Sequence, residues 1–210
     1  MIVLEFIGVV IFGYLIGAIP FGVIMGRLTR GIDVREYGSG STGMTNVSRT
    51  IGASAGVLVF LADVAKGVAA VALAWLIFDS SSATFAWGQV AGGCSAVIGH
   101  NWPAYIGFRG GRGVATGFGA LLVISWPVGL VSLAIFLMVV ILFRYVSLGS
   151  MLAALTMLIA FIPFIALDLE PFASLIYALI IAPIVILRHR GNIQRLLDGT
   201  EHKLMGRATL

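Results

Sequence analysis

Seven apolar runs, at residues 2–26, 53–78, 84–99, 114–125, 127–143, 148–167 and 171–187, constrain this chain more than any other feature. A helix perpendicular to a bilayer needs roughly 20 apolar residues to cross the hydrocarbon. Several of the runs are shorter than that, and 114–143 could be one long tilted helix. With 60% hydrophobic and 10% charged residues in a chain of 210, there is more nonpolar surface than one soluble core can bury, so lipid must serve as solvent. The predicted fold is an all-α integral membrane protein, a bundle of seven transmembrane helices forming a single domain over residues 1–210. Met1 to Met25 is longer than a signal-peptide core and lacks a basic leader, so it reads as a retained first span. Trp126-Pro127 separates the fourth span from the fifth, because proline lacks an amide donor and disfavours a helical residue before it.

Charge placement gives the orientation, since cytoplasmic loops are enriched in lysine and arginine. With seven spans, Arg27, Arg30, Arg35, Arg49, Arg109, Arg112, Arg144 and the tail residues Arg188, Arg190, Arg195, Lys203 and Arg207 share one face. That is every one of the 13 basic residues except Lys66. Glu5, Asp79, Asp168 and Glu170 fall on the other. The N-terminus is thereby predicted outside and the C-terminus in the cytoplasm. The net charge of +4 follows this alternation of loops and spans, which suits topology and phosphate binding, with no nucleic acid as partner. Lys66 follows Asp63 by three residues within the second span and reads as an ion pair facing the bundle. Cys94, the one cysteine, lies in an apolar run; it excludes an intramolecular disulfide and reads as a small core residue.

Three polar stretches fall on the cytoplasmic face. The first is Gly38-Ser-Gly-Ser-Thr-Gly-Met-Thr-Asn46, followed by Arg49. Its glycines allow tight turns whose successive amides cradle anions, and its hydroxyls add donors. The formal G-x-G-x-x-G at Gly38, Gly40 and Gly43 follows a membrane span, not a strand, which excludes a dinucleotide fingerprint. The second runs from Gly99 to Thr116 and embeds Arg109 and Arg112 among Gly107, Gly110, Gly111 and Gly113, directly before the fourth span. Amides at a helix start, the helix dipole and arginine forks together suit phosphate. The third, Leu187 to Glu201, reads as an interfacial amphipathic segment whose His189 and Asn192, three apart, would share a helical face. No carboxylate dyad or metal-ligand cluster is apparent, so direct transfer between two bound substrates fits better than a covalent enzyme intermediate.

These stretches resemble the bacterial acyl-phosphate:glycerol-3-phosphate acyltransferase family, the PlsY type, over essentially the whole chain. The resemblance rests most on Gly99-His-x-x-Pro103 with Gly107-Phe-Arg-Gly-Gly-Arg-Gly-Val-Ala-Thr116, and on Arg188-His-x-x-Asn-Ile-x-Arg-Leu196. Ser147-Leu-Gly149 and Asp63-x-x-Lys66-Gly67 are similar too. It implies an enzyme of the bacterial plasma membrane, its site facing the cytoplasm, that moves a fatty acyl group from acyl phosphate to the 1-hydroxyl of sn-glycerol 3-phosphate and releases lysophosphatidic acid and phosphate. It further implies that Ser39, Thr45, Asn46, Arg49, Arg109 and Arg112 hold phosphate groups. Ser147, His189 and Asn192 would be the catalytic residues, with no metal, cofactor or acyl-enzyme. A soluble enzyme that forms acyl phosphate would supply the donor. The chain departs from the family pattern at Ser41, Thr42 and Met44, and has Arg109 and Arg112 where the family usually has lysines. A related enzyme acting on another phosphorylated alcohol, and a transporter for an organic phosphate or lipid, stay open; the transporter would call for more polar residues at bilayer depth than Asp63 and Lys66. A CDP-alcohol phosphotransferase would need an aspartate-rich metal site that these stretches lack.

Overall fold

The computed structural model describes residues 1–204, so Arg207 lies outside the described residues. Among them every regular element is helical: α1 (Ile2–Ala18), α2 (Phe21–Arg30), α3 (Met44–Thr50), α4 (Ala53–Ile77), α5 (Phe85–Asn101), α6 (Val114–Ile124), α7 (Trp126–Phe143), α8 (Val146–Ala166), α9 (Phe172–Arg188) and α10 (Arg190–Leu197), with two single 3-10 turns at Val34–Glu36 and Ala104–Ile106. By length and apolarity, four segments suffice to cross a membrane: Ile2–Arg30, Ala53–Ile77, Trp126–Phe143 and Val146–Ala166. Taken together as one span, the bent pair Phe172–Arg188 and Arg190–Leu197 would make a fifth. Large apolar side chains such as Leu76, Ile141 and Ile159 are exposed along these helices, as hydrocarbon solvation allows.

Three boundaries refine the sequence reading. The first apolar run is broken after Ala18, where Ile19 is extended at φ −58° and ψ 116°. Pro20 accounts for this, because it cannot donate to the helix and disfavours the helical conformation before it. The break between the fourth and fifth runs falls at Ser125, extended at φ −154° and ψ 94°, and Pro127 sits in the first turn of α7, where its missing amide costs no helical bond. The third polar stretch is not one continuous helix: α9 and α10 meet at His189 with a bend of 56°.

The chain divides into two compact units, Met1–Ile124 and Ser125–Leu210. In the first, α1, α4, α5 and α6 pack through small residues. A Cβ on Gly17 would overlap the backbone of Ala96, one on Gly67 the carbonyl of Thr116, and one on Gly119 the carbonyl of Val64. Such close backbone approach supplies dispersion contact where lipid removes the usual hydrophobic drive between helices. At one end of this unit Val23, Val34, Val47, Ala55 and Val59 form an apolar cluster that anchors the first polar stretch. In the second unit α8 packs against α7 and α9. Arg144, left-handed at φ 64°, turns the chain from α7 into α8.

Candidate active site

In the first unit, the loop after α2 is wired by side chains. Asp33 accepts from the backbone amide of Arg35 at 3.0 Å and from its guanidinium at 2.7 Å. The Arg35 guanidinium, by that hydrogen bond above all and by its charge, holds the Asp33 carboxyl below its ordinary range. Arg35 also donates through Nη1 to the carbonyl of Ile106 at 2.7 Å, which ties the first polar stretch to the second. Asn46, buried in α3, accepts from the amide of Ser39 at 2.9 Å and donates to the carbonyls of Val34 and Ser41, each at 2.8 Å. Its amide thereby shapes the loop. Gly38 and Gly40, at φ 57° and 69°, make the turns, and a Cβ on Gly38 would overlap Asn46 Oδ1. Ser39 and Arg49 are exposed, Thr45 is half-buried, and Arg49 has no ion pair among the described residues.

The second stretch leaves α5 at Asn101 and returns to start α6 at Val114. Phe108 is left-handed at φ 61°, a conformation that costs a non-glycine residue on the order of 1 kcal/mol and that functional loops often retain. Its amide is held by the carbonyl of Pro103 at 2.9 Å. The Gly111 amide donates to the carbonyl of His100 at 3.0 Å, so the loop lies across the end of α5. Arg109 is exposed, without an ion pair among the described residues, while Arg112 is half-buried beside the first turn of α6. The loop thus brings to the start of α6 the residue types that anion sites use, helix-start amides and arginines.

In the second unit, Ser147, His189 and Asn192 are all buried, at 3%, 1% and 5% exposure. Two of them meet on a residue the sequence reading passed over. Ser147 Oγ donates to Glu201 Oε1 at 2.7 Å, and Asn192 Nδ2 donates to the same oxygen at 2.6 Å. Arg195 Nε donates to Oε2 at 2.8 Å. Burial pushes the Glu201 carboxyl up, but the hydrogen bonds from Ser147, Asn192 and Arg195 and the charge of Arg195 more than offset this and hold it below its ordinary value. The signal for Glu201 was Gly199: left-handed at φ 70°, it turns the chain after α10 so that Thr200 and Glu201 both donate their amides to the carbonyl of Arg195, at 2.8 and 3.0 Å. His189 is the junction before α10, and the amide of Asn192 donates to the His189 carbonyl at 2.8 Å. His189 Nδ1 lies 2.7 Å from the carbonyl of Val185, and because a carbonyl only accepts, that nitrogen carries a proton. Among the described residues no three histidine, cysteine, aspartate or glutamate side chains are placed to hold a metal ion.

The expected ion pair in α4 is present, with Lys66 Nζ 2.8 Å from Asp63 Oδ1 and both side chains buried. The sequence reading missed its third member, His100, whose Nδ1 is 3.5 Å from the same carboxylate oxygen.

Residues 7–199 match the family described as glycerol-3-phosphate acyltransferase. The chain is 47% identical over 199 residues to a glycerol-3-phosphate acyltransferase of Prochlorococcus marinus (strain NATL1A), covering 93% of this chain and 96% of that one. It is 42% identical over 208 residues to the corresponding protein of Clostridioides difficile (strain 630), covering 97% and 98%. Among solved structures, PlsY, an integral membrane glycerol 3-phosphate acyltransferase crystallised in its glycerol 3-phosphate form, is 39% identical with a TM-score of 0.85, over 95% of each chain. Its lysophosphatidic acid form gives a TM-score of 0.82 at 38% identity, again over 95% of each chain. By sequence and by fold, along nearly its whole length, the chain belongs to the glycerol-3-phosphate acyltransferase family.

Proposed function

We propose that this chain moves a fatty acyl group from acyl phosphate to the 1-hydroxyl of sn-glycerol 3-phosphate, giving lysophosphatidic acid and inorganic phosphate, the first acylation of phospholipid synthesis. The observation that carries this reading is the match over 95% of both chains to an integral membrane acyltransferase crystallised in its glycerol 3-phosphate form. In the reaction the 1-hydroxyl oxygen bonds to the acyl carbon, the bond from that carbon to the phosphate oxygen breaks, and the hydroxyl proton leaves with the departing phosphate. The chain's task is then placement and charge neutralisation.

Ser39, Thr45, Asn46, Arg49, Arg109 and Arg112 take the phosphate-binding role, with Asn46 acting through the loop it shapes. Ser147, His189 and Asn192 take the catalytic role. His189 serves as a positioner, a role favoured by the bond that commits its Nδ1 to the Val185 carbonyl. The whole chain, 1–210, works as one domain of seven spans in a bacterial plasma membrane, N-terminus outside, C-terminus and site toward the cytoplasm. The confinement of every basic residue but Lys66 to one set of loops supports this topology. A soluble enzyme that makes acyl phosphate supplies the donor.

The test is acyl transfer by the purified, detergent-solubilised protein with palmitoyl phosphate and glycerol 3-phosphate, in metal-free buffer, with palmitoyl-CoA as the competing donor. Lysophosphatidic acid from the phosphate donor alone is the expected result; no product from either donor by a folded protein would sink the reading. Arg109→Ala should lower kcat/KM by about 100-fold, as for loss of a charge-assisted phosphate contact. Normal turnover by this variant would remove Arg109 from the site.

A further inference from the structure

The buried charges of the first unit have no part in the chemistry above, yet they touch it. Lys66, on α4, pairs with Asp63 and also donates to the carbonyl of Ile19 at 3.1 Å, at the break that separates α1 from α2. Asp63 Oδ1 in turn lies 3.5 Å from Nδ1 of His100 near the end of α5. The opposite edge of that imidazole faces the glycine-arginine loop. A Cβ built on Gly111 would fall on His100 Nε2 and within 2.9 Å of both ring carbons flanking it. A Cβ on the neighbouring Gly110 would overlap the His100 carbonyl, the same carbonyl that accepts from the Gly111 amide. The ring is thus held between a carboxylate of α4 and the backbone that joins Arg109 to Arg112.

An apolar trio could fill this space without the desolvation cost of two buried ions, which is several kcal/mol per ion. What an apolar trio could not do is fix the rotation of a ring, since only directional partners orient an imidazole. Lys66, 2.8 Å from Asp63 Oδ1, gives that carboxylate a partner in place beside His100, whose Nδ1 lies 3.5 Å from the same oxygen. The Lys66 bond to Ile19 ties the same cluster to a third element.

We propose that Asp63, Lys66 and His100 form a positioning device for the Arg109–Arg112 loop: the Asp63–Lys66 pair orients the His100 ring, and the ring sets where the Gly110-Gly111 backbone crosses the end of α5. Positioning, not contact with substrate, is their role, and it rests on the reading of this loop as a phosphate site. Gly111 is glycine because the ring occupies the place of its side chain.

The experiment uses the full-length protein in detergent and four variants: H100A, G111A, the double variant H100A/G111A, and D63N/K66M, which removes both charges together so that no buried ion is left unpaired. Steady-state KM for glycerol 3-phosphate and for palmitoyl phosphate is measured with kcat, alongside hydrogen exchange of residues 103–113. G111A should raise KM for one of the phosphate substrates by about tenfold, the scale of one phosphate contact, with a smaller change in kcat. H100A/G111A should return toward the KM of H100A alone, because the methyl then has room. H100A and D63N/K66M should both speed exchange across 103–113 by about fivefold while 85–98 and 115–124 exchange as before, a local opening and not a loss of fold. Wild-type exchange of the loop in H100A, or a G111A defect that H100A leaves unrelieved, overturns the proposal. If the unaltered protein makes no lysophosphatidic acid, the acyltransferase reading fails, and loop exchange alone decides for or against the positioning device.

Discussion

Removing the Glu201 carboxylate should destabilise the second unit far more than its place near the chain end suggests. Glu201 Oε1 accepts from two side chains that are nine-tenths or more buried, Ser147 at 2.7 Å and Asn192 at 2.6 Å. A hydrogen bond to an ionised acceptor contributes about 1.5–3 kcal/mol, and a buried donor left without one carries a penalty of similar size. The two bonds share one oxygen, so their contributions are not independent. Their joint loss in Glu201→Ala is worth about 3–5 kcal/mol on that basis. The third bond, to Arg195, adds at most about 1 kcal/mol, because the Arg195 side chain is 37% exposed. For a chain of this size each kcal/mol shifts Tm by roughly 2–4 °C, so thermal unfolding in detergent should begin on the order of 10 °C lower. Asp198→Asn removes the same charge three residues earlier, where the carboxylate is exposed and, among the described residues, accepts side-chain bonds from the exposed Gln194 alone. It should shift Tm by no more than about 2 °C. Adding Ser147→Ala to Glu201→Ala should cost less than Ser147→Ala does alone, since a donor whose partner is already gone has less to lose. A Glu201→Ala melt within about 2 °C of wild type, or full additivity in the pair, would refute this account of the cluster.

Asn46→Ala removes three hydrogen bonds to loop backbone, two from its Nδ2 and one to its Oδ1. It should cost about 2–4 kcal/mol by thermal unfolding, and Asn46→Asp should be worse than a simple loss of donor because it turns an acceptor toward two carbonyls. Gly67→Leu drives a side chain into the Thr116 carbonyl and should lower Tm by several degrees or abolish folded yield, whereas Gly8→Ala, with open space around its Cβ, should be neutral or stabilising by up to about 1 kcal/mol. Acid should weaken the folded state through Asp33 and Glu201, both of which titrate below their ordinary values of 3.8 and 4.5 in the folded chain. A carboxyl whose folded pKa is depressed contributes fully above its unfolded pKa, and that contribution is lost as pH falls through the folded value. The decline should therefore begin below about pH 4.5 and flatten in Asp33→Asn/Glu201→Gln, read as Tm against pH.

What was legible in the sequence divides along the separation of the interacting residues. Helix positions follow from apolar runs because each run's burial is a property of its own residues, and the Asp63–Lys66 pair was visible because i and i+3 face each other whatever the tertiary fold. The break at Pro20 was also present in the residues, but the length of the apolar run around it obscured a local rule about proline. His100 and Glu201 escaped for a different reason. Each looks in the sequence like a spare polar residue beside a glycine-rich or basic motif, and each has a partner far away in the chain, 54 residues in the case of Ser147 and Glu201.

The same division reaches the site. Motif spacing singled out the glycines and arginines that approach an anion, because backbone turns and cationic forks are local chemistry. It was silent on what holds them, because a buried amide such as Asn46 reveals its work only when the carbonyls of Val34 and Ser41 are brought to it. Residues that bind are encoded where they stand, while residues that position are encoded in pairs. A substitution at Arg35, whose guanidinium holds the carbonyl of Ile106 at 2.7 Å, should therefore damage the second polar stretch without altering any residue of the motifs from which the chemistry was read.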